Sequence, residues 1–461
     1  MKIKITLNGE LREIRVHPMK RMLDVLREDF GLLGAKEGCG EGECGACAVV
    51  MDGLPVDTCL IPAVQMAGRE IVTIEGLGAA SGLDLLQQAF LDEGAIHCGF
   101  CTPAMIMAGY ALLSRNPHPT REDAAVALSG NICRCTGYEK IIKAVMRTAS
   151  LGYGEKAARF PSLADGTAPI FESDEIGRYF APASLAEALD ILRRHEDVLV
   201  FAGGTDIVPD IKARRVSPGR VMDVFGVPEL NGIEQAADGN TPFIRIGACA
   251  TNTDIMRSEI TRKRLPALVS ASSRSGAATI QNRATIGGNI MTASGAGDLP
   301  VALLALGARA VASGPRGDRE MSLDDFIAGY RKTALQKGEL LKEIRVPVPP
   351  TGTRQAFYKR GSRKALTLAR VSLAFCVRCE GGRVAEFRAA AGSMSPIPLR
   401  LKLLSEAMPG RELTPALADE AARLAYADVN PRKTPLYRKT IVANLTHRFF
   451  TGLLREEEMI E

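Results

Sequence analysis

Residues 38–47, Gly-Cys-Gly-Glu-Gly-Glu-Cys-Gly-Ala-Cys, decide how the N-terminal part of this chain is interpreted. Their three cysteines are separated by four and two residues, and a fourth cysteine follows after eleven more. This spacing is typical of plant-type 2Fe-2S sites, where glycines let backbone amides approach the thiolates that hold iron. Zinc is the alternative, but zinc knuckles usually add a second Cys-x-x-Cys pair or histidines. The pattern predicts a 2Fe-2S cluster on Cys39, Cys44, Cys47 and Cys59.

A second group of cysteines comes as two close pairs, each just before a predicted helix: Cys98, Cys101, Cys133 and Cys135. Thr102 and Pro103 suit the cap and the first position of one helix, and residues 136–138 open the other. Helix N-termini favour an anionic cluster. Taken alone, this pattern suits zinc and iron equally. Beside the first group, it predicts a second 2Fe-2S cluster, and therefore a chain that moves electrons.

Three further cysteines, Cys249, Cys376 and Cys379, match neither group. Cys376 lies in an apolar run that predicts a buried strand, so we expect these three to be free, buried thiols.

Around the first cysteine group the sequence predicts a small β-rich unit over residues 1–82. Alternating apolar residues flank the turns Asn8-Gly9 and Asp52-Gly53, which indicates two hairpins, and a short strand follows near Ile71. Apolar residues recur at helical spacing over Met22–Phe30, up to Gly31. This arrangement is typical of a ubiquitin-like β-grasp fold.

Changes in sequence pattern divide the rest of the chain into four segments. Residues 83–152 have helical periodicity, and 153–174 form a linker rich in glycine and proline. Helix and strand patterns alternate over 175–350, and 351–461 begin with strands and end in a helical stretch from Pro415. A chain of 461 residues is too long for one hydrophobic core, so several domains are expected.

Composition excludes several functional classes. The chain is 46% apolar and 24% charged with a formal net charge of +5, which favours a folded protein and indicates neither nucleic acid nor membrane as a partner. The N-terminus lacks the apolar core of a signal peptide, and no run of 18 apolar residues occurs. We therefore expect a cytoplasmic protein, in which clustered cysteines bind metal or do redox chemistry rather than form disulfides.

Two glycine-rich elements are candidates for holding a diphosphate. A predicted strand, Val198–Ala202, runs into the turn 203–206, Gly-Gly-Thr-Asp, and a second such element spans 284–290. Neither fits the GxGxxG fingerprint or the phosphate loop of nucleotide hydrolases. Ordinary strand turns are the alternative for both.

The stretches 38–47 and 130–138, the second reading Gly-Asn-Ile-Cys-Arg-Cys-Thr-Gly-Tyr, resemble the two cluster signatures of a known family. These are the molybdenum-containing hydroxylases related to xanthine dehydrogenase and aldehyde oxidoreductase. The resemblance spans essentially the whole chain and implies that all eight cysteines are cluster ligands. Ala104 stands where relatives often have glycine, which leaves the ligands unchanged.

The implied fold class is α+β multidomain. Its parts are a β-grasp 2Fe-2S ferredoxin-like domain (1–82), a four-helix 2Fe-2S domain (83–152), a linker (153–174), a vanillyl-alcohol-oxidase-like FAD-binding domain (175–350) and a CO-dehydrogenase-flavoprotein-like C-terminal α+β domain (351–461).

Position by position, the resemblance also implies FAD contacts: Val200, Phe201, Ala202, Gly203, Gly204, Thr205, Asp206, Ile207, Thr285, Asp298, Tyr330, Leu341 and Lys359. Tyr330 is expected to cover the flavin ring. Ser275 stands where relatives often place an aromatic residue. Residues 354–364 carry five basic side chains. They suit a solvated basic face, or else a site at Arg363 and Lys364 for the phosphates of NAD.

The resemblance implies that the chain is the iron–sulfur and FAD subunit of a split, NAD-dependent xanthine dehydrogenase. A large molybdopterin-binding subunit is the implied partner, in a dimer of heterodimers. Electrons would pass from molybdenum to the second cysteine group, then to the first, to FAD and to NAD, while the partner oxidises hypoxanthine and xanthine to urate. No catalytic acid or base is assigned to this chain. A hydroxylase acting on aldehydes or N-heterocycles is one alternative, and a zinc-stabilised, non-enzymatic scaffold is another.

Overall fold

The computed structural model describes residues 1–78, 82–156, 179–363 and 365–455. Its strands are β1 (Lys2–Leu7), β2 (Glu10–Arg15), β3 (Ala48–Met51), β4 (Leu54–Asp57), β5 (Glu70–Val72), β6 (Tyr179–Phe180), β7 (Val198–Phe201), β8 (Arg220–Asp223), β9 (Ile233–Asp238), β10 (Thr241–Gly247), β11 (Arg309–Gly314), β12 (Gly317–Ser322), β13 (Leu340–Pro347), β14 (Arg354–Arg360), β15 (Val371–Glu380), β16 (Arg383–Gly392) and β17 (Leu399–Arg400).

The helices are α1 (Met22–Asp24), α2 (Leu85–Asp92), α3 (Thr102–Leu113), α4 (Arg121–Ala127), α5 (Glu139–Ser150), α6 (Tyr153–Lys156), α7 (Leu185–Arg194), α8 (Ile207–Lys212), α9 (Asn252–Arg257), α10 (Glu259–Arg264), α11 (Pro266–Ser273), α12 (Ala278–Gln281), α13 (Ile286–Met291), α14 (Asp298–Leu306), α15 (Leu323–Phe326), α16 (Lys402–Ala407), α17 (Pro415–Asp428) and α18 (Pro435–Leu454). Most of the predicted linker lies outside the described residues.

These elements form two compact units. The first consists of Met1–Phe180, Leu199–Met222 and Gly276–Arg283, and the second of Ala181–Val198, Asp223–Ser275 and Ala284–Glu461. Each unit is built around its own buried apolar clusters.

The first unit contains a five-stranded sheet in the order β2-β1-β5-β3-β4, in which β1 and β5 are parallel. Both predicted hairpins are confirmed. Asn8 and Gly9 have φ of 52° and 83°, and Asp52 and Gly53 have φ of 49° and 74°. Two successive residues with positive φ match the right-handed twist of the flanking strands, which is why short hairpins favour this turn. The β-grasp arrangement is therefore confirmed.

The predicted helix that crosses this sheet is present but irregular. α1 is short, and Val25–Asp29 continue it as a π-helical turn that Gly31 follows with φ of 69°. The apolar spacing that predicted the helix still buries its inner face, at Met22, Leu23 and Leu26.

Helices α2 to α5 confirm the predicted helical part that carries the second cysteine group. α3 is buried along most of its length. A Cβ at Gly109 of α3 would lie 3.0 Å from Val145 of α5, so the glycine permits this close packing.

One detail of α3 was predicted wrongly. Thr102 does not cap the helix but is its first residue, while Cys101 occupies the cap position without a side-chain bond and Pro103 lies in the first turn. Proline is tolerated there because the first amides of a helix lack intrahelical partners.

Two later segments belong to the first unit. β7 is the predicted strand at Val198–Ala202, and it lies beside β8 in a three-stranded sheet with β6. α8 follows β7 directly, and α12 packs on β4.

The second unit contains two sheets. One has the order β12-β11-β13-β10-β9, and the fully buried helix α14 lies in its core. The other, β14-β15-β16-β17, packs with α16 to α18 around a cluster of phenylalanines, Phe375, Phe387, Phe449 and Phe450. The strands predicted after residue 351 and the helical stretch from Pro415 are confirmed.

Residues 284–290 were predicted wrongly as a second strand turn. Residues 286–291 form α13, because the hydroxyl of Thr285 accepts from the amide of Gly288 at 3.0 Å and caps the helix. Cys249 and Cys376 are buried as predicted. Cys379, which was also expected to be buried, is only half-buried and follows a shift in the register of β15 after Arg378. No helix within the described ranges is long and apolar enough to cross a membrane.

We expect Phe449→Ala to lower the free energy of unfolding of the C-terminal part by about 3–5 kcal/mol. The ring of Phe449 is fully buried and stacks on Phe375 with centroids 4.4 Å apart. Truncation removes this contact and leaves a cavity. The loss in free energy of unfolding is measured by urea unfolding, monitored through hydrogen exchange of the amides of β15. Leu436→Ala, at a residue 72% exposed, is the control and should change little.

Candidate metal centres and flavin site

Backbone amides of the first cysteine loop point at its own sulfur atoms. The amides of Glu41 and Glu43 donate to Cys39 Sγ at 3.3 and 3.2 Å, and the amide of Cys39 donates to Cys44 Sγ at 3.3 Å. The three glycines of this loop with positive φ, Gly40, Gly42 and Gly45, supply the curvature that aims the amides inward. Hydrogen bonds of this kind stabilise thiolate ligands.

The four thiols of the first group meet as two pairs. Cys39 contacts Cys44, and this contact, together with the loop amides, lowers the pKa of Cys39 to about 4. Cys47 contacts Cys59, and both are buried. The first pair is half-exposed at the loop, while the second lies at the base of β3 and β4.

The second cysteine group has the same paired form. Cys135 Sγ lies 3.7 Å from Cys98 Sγ, and Cys101 contacts Cys133. The amide and the hydroxyl of Thr136 both lie within hydrogen-bonding distance of Cys133 Sγ. Burial opposes the thiolate of Cys133, but the hydrogen bonds from Thr136, together with those from the amide of Cys135 and from Cys101, lower the pKa of this thiol.

The paired thiols fit two-iron clusters. In each group the thiols meet as two pairs, and in the first group loop amides donate to the sulfurs. Each iron of a 2Fe-2S cluster takes two thiolates. The residues present therefore fit the two predicted clusters.

The two cysteine loops touch backbone to backbone. The amide of Ile132 donates to the carbonyl of Cys44 at 2.9 Å, and Asn131 Nδ2 donates to the carbonyl of Gly45 at 2.8 Å. A Cβ on Gly45 would overlap the carbonyl oxygen of Gly130, so only glycine admits this approach. One backbone hydrogen bond thus joins Cys44, a predicted ligand of the first cluster, to the residue before Cys133, a predicted ligand of the second.

A buried carboxyl lies beside the first cluster loop. Asp57 is 1% exposed, Thr279 Oγ1 donates to its Oδ2 at 2.9 Å, and Cys47 Sγ lies 3.9 Å from its Oδ1. Burial raises the pKa of Asp57 to about 7. No sequence pattern predicts this contact, because Thr279 and Asp57 are 222 positions apart.

Residues 200–207, the predicted diphosphate strand and turn, lie in the first unit. The carbonyl of Ala202 accepts from Gln65 Nε2 at 2.9 Å. Gly204 has φ of 80°, and a Cβ there would lie 2.8 Å from the carbonyl oxygen of Leu60. The glycine of this turn is therefore required by close backbone packing beside Cys59, whatever else the turn binds.

The other predicted flavin contacts lie in the second unit, where the structure brings two of them together. Lys359 Nζ pairs with Asp298 Oδ2 at 2.6 Å and donates to the carbonyl of Arg274 at 2.7 Å. Burial raises the pKa of Asp298 to about 6 although Lys359 opposes the shift. Leu341 lies in the apolar core, and Tyr330 is 58% exposed.

The buried polar atoms near Asp298 suit a polar ligand. Asp298 Oδ1 and Asn289 Oδ1 are buried acceptors without a protein partner in the described residues. Asn289 Oδ1 would lie 3.3 Å from a Cβ on Gly297, the residue before Asp298. Unpaired buried acceptors are costly, so a donor-bearing ligand such as flavin fits here. Sequence reasoning missed Asn289, which only the helical turn of α13 places beside Asp298.

The predicted NAD-phosphate residues are only partly described. Arg363 donates to the carbonyl of Leu366, and Lys364 lies outside the described residues. Ser275 lies in the loop after α11.

Four domain families match consecutive parts of the chain. They are described as 2Fe-2S iron-sulfur cluster binding domain (5–65), [2Fe-2S] binding domain (73–146), FAD binding domain in molybdopterin dehydrogenase (171–349) and CO dehydrogenase flavoprotein C-terminal domain (356–453). A nicotinate dehydrogenase small FeS subunit from Eubacterium barkeri is 56% identical over 143 residues, 31% of this chain and 91% of that protein. The chain belongs to the molybdenum hydroxylase family.

Other members of the molybdenum hydroxylase family extend the match. A solved chain of carbon monoxide dehydrogenase from Hydrogenophaga pseudoflava is 30% identical with a TM-score of 0.56, covering 59% of this chain and 94% of its own. Xanthine dehydrogenase/oxidase from Rattus norvegicus is 27% identical over 98% of this chain, which spans 39% of that protein's length. The matches confirm the predicted fold class, with two 2Fe-2S domains, a flavin domain and a flavoprotein C-terminal domain.

We expect Asn131→Ala to loosen the junction between the cysteine loops of this molybdenum hydroxylase chain. The substitution removes one of two donors to the carbonyl of Gly45, which keeps the amide of Ala48 at 3.0 Å, so we expect a cost of about 0.5–1.5 kcal/mol. Hydrogen exchange of residues 43–48 and 130–134 should quicken. Ser129→Ala, whose exposed hydroxyl bonds only within its own turn, is the control; equal exchange in both variants would contradict the expectation.

Proposed function

We propose that this chain is the iron–sulfur and FAD subunit of an NAD-dependent xanthine dehydrogenase, working with a large molybdopterin-bearing partner. The observation that carries the iron–sulfur part of the proposal is the pairing of eight thiols in two groups, whose stretches 38–47 and 130–138 are joined by one backbone hydrogen bond. The predicted diphosphate turn packs against Leu60, the residue after Cys59, in the same unit.

The chain's own residues would hold and tune the cofactors. The eight paired cysteines would be the ligands of two clusters, and the loop amides would stabilise their thiolates. Residues 200–207 are the FAD contacts that we propose for the first unit. For the second unit we propose Thr285, Asn289, Asp298, Tyr330, Leu341 and Lys359. When bound, the clusters pass single electrons, and the flavin exchanges them as a pair with NAD.

Substrate oxidation is assigned to the partner. No set of residues in this chain is assigned as a catalytic acid or base, and one relative is by its name a small FeS subunit. We propose a dimer of heterodimers in the cytoplasm, with hypoxanthine and xanthine as the partner's substrates. Xanthine dehydrogenase/oxidase and an aldehyde oxidase from Cavia porcellus each match over 98% of this chain, so these matches support a molybdenum hydroxylase, and the purine substrate is the proposal's own step.

A nicotinate-type hydroxylase is the second candidate. The 56% identity to a nicotinate dehydrogenase subunit favours it. Purines and nicotinate are both electron-poor nitrogen heterocycles, and the partner would choose between them. This chain would serve either partner in the same way, since it receives electrons and not substrate.

Substitution of single cysteines should remove the two clusters independently. We expect the wild-type chain to hold four irons and to give two distinct EPR signals when reduced. Cys44→Ser should lose one signal and Cys133→Ser the other, because each removes one thiolate of a separate set. Cys379→Ser, at a half-buried thiol outside both sets, should keep both signals. Zinc in place of iron would contradict the proposal.

The substrate assignment is tested on the complex purified with its native partner. We expect xanthine to bleach the visible absorbance of this chain and NADH to accumulate. Bleaching by nicotinate alone would favour the second candidate. A complex that contains iron, FAD and molybdenum but responds to neither compound would contradict both.

A further inference from the structure

Lys212, the last residue of α8, lies against the first cysteine loop. Its Nζ donates to the carbonyl oxygen of Cys39 at 3.0 Å and pairs with Glu37 Oε1 at 3.0 Å. These contacts all lie within the first unit. A cation from a segment 173 residues away is thus bonded to the backbone of a predicted cluster ligand.

The loop is shaped to admit this lysine. Gly40, the residue after Cys39, has φ of 67°, and a Cβ there would overlap Lys212 Nζ. Any side chain at residue 40 would therefore displace the ammonium group, in addition to the strain of a positive φ. The ammonium group of Lys212 thus lies where a side chain on residue 40 would lie.

Glu37 also pairs with a second cation, Arg21. Arg21 donates to both of its carboxylate oxygens, at 3.0 and 2.9 Å, and to both oxygens of Asp24 at 2.7 Å. The four side chains carry two positive and two negative charges and balance one another. Removal of Lys212 alone would leave a net negative charge beside the loop.

The other end of α8 begins at the predicted diphosphate turn. The amide of Val208 donates to the carbonyl of Gly204 at 3.0 Å, so the turn continues without a break into the helix. Six residues, Ile207–Lys212, therefore connect this turn to the cysteine loop.

We propose that Lys212 is a positioning residue that raises the reduction potential of the cluster held by Cys39, Cys44, Cys47 and Cys59. The inference rests on the proposed function. Reduction adds a negative charge to a cluster, and a nearby fixed cation stabilises the reduced form. Lys212 thereby favours the arrival of an electron at the cluster whose loop adjoins the predicted flavin turn.

The test is an EPR-monitored redox titration of the complex, with each cluster followed by its own signal. We expect Lys212→Gln to lower the midpoint potential of the first cluster and to leave that of the second cluster unchanged. Lys212→Arg should restore a value close to wild type, since it keeps the charge. Glu37→Gln should shift the first cluster the opposite way, because it removes a negative charge from the same network.

Lys4→Gln is the matched control. Lys4 is an exposed lysine of the same β-grasp domain, paired with Glu13 on the first hairpin, and its loss should move neither potential. An unchanged first-cluster potential in Lys212→Gln, or an equal shift of both clusters, would overturn the inference. If that variant fails to retain the cluster, Glu37→Gln decides, and the absence of an upward shift contradicts the inference. A wild-type chain without iron would contradict the proposed function itself.

Discussion

The backbone contact between the two cysteine loops is the constraint on which the first unit depends. Gly45 must have no side chain, because the carbonyl oxygen of Gly130 occupies the place where a Cβ would lie. Asn131 then reaches the carbonyl of Gly45, and the amide of Ile132 reaches that of Cys44. A β-grasp sheet and a helical domain, each with its own apolar cluster, are in this way held at one shared edge beside their cysteines.

Buried polar groups attach later segments to the same unit. Thr279 donates to Asp57, Asn282 donates to the carbonyl of Pro55, and Gln65 donates to that of Ala202. A buried carboxyl or carbonyl without a partner costs free energy comparable to a lost hydrogen bond. These contacts therefore specify where the segments pack, which apolar burial alone would leave less precisely defined. The helix that ends in Lys212 is placed by the same set of contacts.

In the second unit, by contrast, two buried acceptor atoms have no protein partner among the described residues. Asp298 and Lys359 are both 6% exposed and form an ion pair, yet Asp298 Oδ1 and Asn289 Oδ1 retain unused acceptor capacity. A stability-driven core would not keep such atoms, because their desolvation is uncompensated. The unpaired acceptors are instead what a site for a polar cofactor requires. Asp298 begins a helix that is otherwise wholly apolar, and Asn289 lies in the helix before it.

The sequence by itself determined the local features. Cysteine spacing, the Asn-Gly and Asp-Gly hairpins and the helical pattern of residues 83–152 act between residues near one another in the chain, so pattern alone predicts them. Tertiary structure decided the pairing of thiols from separate turns and the contacts of Asp57 and Lys212. These depend on contacts between residues far apart in sequence, and no local periodicity encodes them. The glycines illustrate this difference. The sequence predicts turns at Gly40, Gly45 and Gly204, but only the fold shows which atoms lie where a Cβ on each of them would be.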